Sequence, residues 1–301
     1  MNPAFQKDSA LLADIAAARG KVDELHLWWL GQSGLLVQWQ GRHLLFDPYL
    51  SDSLTRKYAA TDKPHIRMTE LVIDPARLDF IDVVTSSHNH TDHLDPGTLQ
   101  PLAKANPHLV MVCPEANRLT VRERSALPDD RIIGLDAAPG QGTGPTSREE
   151  FHRNSVGRVP SPGVGPFEFH AIPAAHEALD TDKLGRHIYL GFVVKVGPWT
   201  LYHSGDTVLF EGMAELLRPF HIDVALLPIN GRAPERRVSG NLWGREAAQL
   251  AKDIGAGIVI PCHYDLFTFN TATTDEFVAT CQQLKQPHVV LKNGERWSGR
   301  K

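Results

Sequence analysis

The chain has 301 residues, 42% hydrophobic and 22% charged, a composition that excludes disordered and fibrous classes and allows a large core. Its formal net charge is −4, so counterion release onto nucleic acid or an anionic membrane is not a driving force and no nucleic-acid partner is expected. Cys113, Cys262 and Cys281 match neither a thiolate zinc site nor a disulfide framework and read as reduced packing residues.

Residues 1–24 carry a short amphipathic pattern (Leu11, Leu12, Ile15) and read as an N-terminal helical extension. They lack the basic start, apolar run and small-residue cleavage site of a secretory signal. No segment reaches the roughly 18 to 20 consecutive apolar residues of a membrane helix, so a cytoplasmic location is expected. A single domain is expected over 25–301, opening with strands at 25–30, 35–40 and 43–46 whose turns fall at Gly31, Gly34 and Gly41. Short buried-type strands follow at 81–86, 109–112 and 131–134, alternating with helices at 97–105 and 115–125. The stretch 137–166 is rich in glycine and proline and too long for an ordinary connection; it reads as an insertion or as a loop beside the site.

After a strand at 167–172, the stretch 191–206 repeats the logic of 34–47: an apolar strand, a Gly-containing turn, and a second strand ending in aspartate. Strands at 224–227, 257–260 and 288–291 then alternate with helices at 242–254 and 274–284. Such alternation predicts a layered α/β fold rather than a bundle or an all-β sandwich.

The chemistry concentrates in SSHNHTDHLD, residues 86–95, directly after an apolar strand, where open α/β folds place ligands. His88 and His90 are two apart and face the same way on extended backbone, which offers two imidazoles to one cation. Asp92 and His93 follow as the chain turns, placed to face a second cation roughly 3.5 to 4 Å from the first. His176, Asp206 and His263 each stand just past the end of another predicted strand, the position a shared site requires.

HNHTDH, a later His, a GD aspartate and a final His together resemble the metal-binding signature of the metallo-β-lactamase superfamily. WWLGQSG, LYHSGDT, IDVALLPING and IPCHYD are similar to the L-ascorbate-6-phosphate lactonase-like branch and to the metal-dependent hydrolases around it. The resemblance implies a four-layer αββα sandwich. It implies that His88, His90 and His176 bind one metal, that Asp92, His93 and His263 bind the other, and that Asp206 bridges them. Asp47, in FDP, resembles the acidic residue that orients a ligand histidine, although a turn cap is an alternative role there. Zinc is the first expectation, manganese the second, and iron is admitted.

Two cations sharing Asp206 lower the pKa of a bridging water from about 15.7 to roughly 7, which makes hydroxide the expected nucleophile. Asp92 is the expected catalytic residue, handing a proton to the leaving group. A small ester-like substrate is expected, lactones first, sugar-phosphate lactones among them; a phosphodiesterase and a di-iron redox protein are the alternatives. Asn230, Arg232, His203 and Tyr264, near the proposed ligands or on the basic loop that follows a strand, are candidate substrate contacts. A homo-oligomer is compatible with all of this.

Overall fold

In β1 (Glu24–Trp29), Leu25, Leu27 and Trp29 enter one hydrophobic cluster and Trp28 another, because successive side chains of an extended strand leave opposite faces. β2 (Leu35–Trp39) and β3 (Arg42–Phe46) continue the division: Leu35, Val37, Leu44 and Phe46 join the first cluster, Leu36 and Leu45 the second. A sheet apolar on both faces must be covered on both. The computed structural model describes residues 1–136 and 164–301.

On one face lie α1 (Asp8–Ala18), α3 (Pro96–Ala105) and α4 (Arg118–Ser125), which supply Leu11, Ile15, Leu99, Leu102 and Val121 to the second cluster; the shorter α2 (Ser53–Tyr58) packs elsewhere. The other face meets a second sheet. The first sheet has seven strands in the order β12-β1-β2-β3-β4-β5-β6, with β4 (Val83–Thr85), β5 (Val110–Pro114), β6 (Ile132–Leu135) and β12 (Arg296–Arg300). The second has five in the order β11-β10-β9-β8-β7: β7 (Phe167–Pro173), β8 (Leu190–Val196), β9 (Trp199–His203), β10 (Val224–Pro228) and β11 (Ile258–Cys262). Beyond α5 (Met213–Leu217), α6 (Gly244–Asp253) and α7 (Asp275–Leu284) pack on each other, and α6 on β10 and β11, bringing Ala247, Ala251 and Phe277 into the core. The layers are helix, sheet, sheet, helix. Each fully buried apolar side chain in them contributes about 1.5–3 kcal/mol.

Strand direction decides where the chemistry goes. β3 and β4 are parallel, as are β9, β10 and β11, and β7 runs with β9 because each is antiparallel to β8. The loops leaving β3, β4, β7, β9 and β11 therefore emerge at carboxyl ends. The sequence repeat has a structural counterpart: β2–β3 and β8–β9 are both antiparallel hairpins whose second strand is followed by an aspartate.

Two expectations need correction. Residues 288–291 do not form a strand: His288 makes a single bridge to Val259, and Pro287 has no N–H with which to extend the ladder. The last strand is β12, which pairs antiparallel with β1 from Glu24–Arg300 to Trp28–Arg296. Its arginines and Gly299 hide it from a hydrophobic pattern, because an edge strand can carry charge. The helix expected over 115–125 is split, a 3-10 turn at Glu115–Asn117 preceding α4. The Gly-rich segment expected at 137–166 lies, over 137–163, outside the described residues. No helix among the described residues is long and apolar enough to cross a membrane.

Candidate metal centre

The loop after β4 is pinned by the aspartate that ends β3. Asp47 is fully buried; its Oδ1 accepts from Thr85 Oγ1 at 2.6 Å, and its Oδ2 accepts from Ser87 N at 3.0 Å and from His93 Nδ1 at 2.8 Å. Ser87 Oγ also donates to it. The chain then tightens, with Leu94 N donating to His90 O at 2.8 Å, before Asp95 caps α3 through Gly97 N and Thr98 Oγ1. Gly205 lets the loop after β9 come close: a Cβ there would sit 2.6 Å from that of Ser87, and its φ of +63° favours glycine. Gln32, Asp47 and His263 adopt φ of +51°, +35° and +60°, left-handed backbone that non-glycine residues take up when the surroundings enforce it.

These loops bring the seven expected donors together. The ligand atoms of His88, His90 and His176 lie within 4.8 Å of one another, as do those of His88, His93 and Asp206, and those of Asp92, His93 and His263. Asp206 is central: Oδ1 is 3.3 Å from His93 Nε2, and Oδ2 is 3.2 Å from His263 Nε2 and 3.7 Å from His176 Nε2. His176 Nδ1 donates to the Gly240 carbonyl at 2.9 Å, so its Nε2 is the atom turned to the cluster. Nε2 of His88, Nε2 of His93 and Oδ1 of Asp206 are buried and make no well-aligned hydrogen bond. Leaving such atoms unpaired costs about 1–3 kcal/mol each. A cation satisfies all of them, so the donor set fits a metal.

The charges are mutually adjusted. Burial alone would lower His263, but Asp206 and Asp92 outweigh it and hold the imidazole up at about 9. His93 is raised too, burial again being overcome by Asp206 and Asp92. In the two carboxylates burial acts upward and the imidazoles of His93 and His263 win, keeping both well below the usual range. Burial lowers His88, His90 and His176, which favours the neutral form that ligates.

The sequence pattern of the beta-lactamase superfamily domain matches residues 42–264. The chain belongs to the metallo-β-lactamase superfamily. Within it, the chain is similar to a UPF0173 metal-dependent hydrolase of Caldivirga maquilingensis, 28% identical over 273 residues that cover 90% of this chain and 96% of the relative. Its fold is similar to that of an isothiocyanate hydrolase from Delia radicum gut bacteria, with a TM-score of 0.66 at 17% identity over 92% of this chain and 100% of that one. It is also similar to CmlA, a diiron beta-hydroxylase from Streptomyces venezuelae, with a TM-score of 0.60 at 13% identity over 93% of this chain and 54% of that one. At these identities the two structures bear on fold alone.

In this metallo-β-lactamase superfamily member, His90, Asp92, His176, Asp206 and His263 line a cavity of about 760 Å³, while His88 and His93 lie buried behind them. The four expected substrate contacts are not among the residues lining it, which corrects that expectation. His203 is fully buried, stacked on Phe46 at 4.8 Å with Nε2 donating to the Ser33 carbonyl. Tyr264 stacks on Trp29 at 4.3 Å and donates its hydroxyl to the Leu291 carbonyl. Asn230 is buried and donates to Asn270, and the Arg232 guanidinium is held by Glu246 at 2.6 and 2.8 Å. Residue type and nearness in sequence suggested all four; partners elsewhere in the chain hold the His203 ring, the Tyr264 hydroxyl, the Arg232 guanidinium and the Asn230 amide nitrogen.

Two amides were missed. Gln32 Nε2 donates to Asp92 Oδ2 at 2.7 Å and lies 2.9 Å from His263 Nε2, and Asn241 Nδ2 donates to Asp206 Oδ2 at 3.1 Å. The only available signal for Gln32 was its place between Gly31 and Ser33 in a tight inter-strand loop.

Proposed function

We propose that the chain is a dinuclear metal-dependent hydrolase acting on a small ester-like substrate, with lactones as the favoured class. The observation that carries this reading is the convergence of His90, Asp92, His176, Asp206 and His263 on one cavity, with His88 and His93 directly behind. Relatives named metal-dependent hydrolases support it, and the cavity volume suits a small molecule. His88, His90 and His176 would hold one cation and Asp92, His93 and His263 the other, with Asp206 shared. The imidazole-rich set suits zinc, and the carboxylates admit manganese or iron.

Divalent cations held there would supply Lewis acidity and bring the pKa of water from about 15.7 toward 7. The remaining work falls to the chain. Asp47 accepts a hydrogen bond from His93 Nδ1–H, and the Gly240 carbonyl accepts one from His176 Nδ1–H, so both rings present Nε2 to the cluster. Asp92 lines the cavity and stays ionised, so it can take a proton from the attacking water and pass that same proton to the departing alkoxide oxygen.

The test joins elemental analysis to a substrate panel of lactones, linear esters and phosphodiesters. Two cations per chain and preferential lactone turnover are expected, with Asp92→Asn slowing turnover by about 100-fold at retained metal content. One cation per chain, or turnover of phosphodiesters alone, would overturn the reading.

A further inference from the structure

The cavity has a second wall of different chemistry. Leu54 and Tyr58 of α2, His65 in the loop that follows, and Phe267 and Phe269 after β11 line the same cavity as Asp92, Asp206 and His263. The rings hold one another in place: Tyr58 stacks on His65 at 4.2 Å, and His65 meets Phe267 and Phe269 edge-on at 5.1 and 4.5 Å. Tyr58, Phe267 and Phe269 form a small apolar cluster with Tyr49, Leu54 and Leu266, separate from the cores that hold the sandwich together. Phe267 is buried, whereas Tyr58, His65 and Phe269 are half-buried at the cavity. Half-exposed rings fixed by their neighbours release water when another apolar surface covers them, with little ordering of their own to offset the gain. The wall also lies near the reacting end, since His65 and Asp92 line the same cavity.

We propose that this wall is the subsite for an aromatic substituent of the substrate, so that one ligand spans from the metal-binding side chains to the rings of His65 and Phe269. The inference deepens the hydrolase reading and rests on it for the bond that breaks, though not for the binding itself. Ring-on-ring packing in offset or edge-on geometry favours an aromatic group over an aliphatic one of equal size.

Hydrolysis of an ester or lactone leaves a carboxylate, so arylacetates serve as probes with both ends. Calorimetry on the metal-loaded protein is expected to show phenylacetate binding at least about tenfold more tightly than acetate, with cyclohexylacetate between them. In Phe269→Ala and in Tyr58→Ala, on separate segments, the phenylacetate advantage is expected to fall to about threefold or less while acetate binding is unchanged; a merely misfolded variant would lose both ligands. Equal affinities for phenylacetate and acetate, or an advantage that survives both substitutions, would overturn the subsite. Cyclohexylacetate binding as tightly as phenylacetate would overturn its aromatic character. Ester turnover by the same preparations separates the two readings: an aromatic preference in binding without turnover of any ester supports the subsite and sinks the reaction, and turnover without the preference does the reverse.

Discussion

Asp47 Oδ2 and His93 Nδ1 lie 2.8 Å apart, and both side chains are fully buried. The carboxylate fixes the tautomer and direction of the ring, so His93 Nε2 can only face Asp92 and Asp206. Asp47→Asn keeps the shape but loses the charge and one acceptor. Metal affinity is expected to fall by about 10- to 100-fold, measured by competition with a chelator. An unchanged affinity would show that something other than Asp47 orients the ring.

The protons on the centre set a pH dependence of definite sign. His263 sits at about 9 in the metal-free protein, above the ordinary imidazole value of about 6.5. A raised pKa stabilises the fold fully below about 6.5, and the contribution, up to ~3 kcal/mol, is lost as pH climbs to about 9. His93 acts in the same direction. His43, His88, His90, His176 and His203, all lowered mainly by burial, have the opposite sign and withdraw stability only below about 6.5. Chelated protein should therefore be most stable near neutrality and weaken toward pH 9, whereas metal affinity should rise over that range as the competing proton leaves. Denaturant melts in chelator at several pH values check the first expectation, and a flat profile between pH 6.5 and 9 contradicts it.

Arg232 and Tyr264 serve the fold. Arg232→Ala breaks a half-exposed pair with Glu246 and should cost at most about 1 kcal/mol. Tyr264→Phe leaves the Leu291 carbonyl without its donor and should cost about 1–3 kcal/mol. For any substrate the enzyme turns over, KM should stay within about twofold in both. A KM increase of about tenfold in either would return that side chain to the substrate.

β12 covers the outer edge of β1, and Trp297 packs edge-on to Trp199 of the second sheet. A chain ending at Glu295 leaves β1 unpaired along that edge, with its apolar residues beside open backbone groups. A lower melting temperature and aggregation on heating are expected, read by calorimetry and light scattering. A truncated protein that melts like the full chain would mean that β12 contributes nothing to closure.

The layered fold and the ligand residues were legible because their signals are local. Period-two apolar runs mark strands wherever they pair, and His88, His90, Asp92 and His93 fall within one turn after a strand. Asp47 could be read only through the family resemblance, since nothing near it in sequence announces that His93 accepts its help from 46 residues away. Gln32 stands in the WWLGQSG motif but its role was not legible there, because a neutral amide does not announce a ligand and its contact with His263 spans 231 residues.

The amino-acid sequence by itself determined that strands would end in imidazoles and carboxylates, since alternation and donor chemistry are properties of neighbouring residues. The tertiary structure alone decided which polar groups were left to face the cavity. Glu246 took Arg232, Leu291 took Tyr264 and Ser33 took His203, while α2 and the loop after β11 set their rings beside the metal-binding side chains. A side chain is available to a ligand only when no nearer partner satisfies it, and those partners are chosen by packing between segments far apart in the chain.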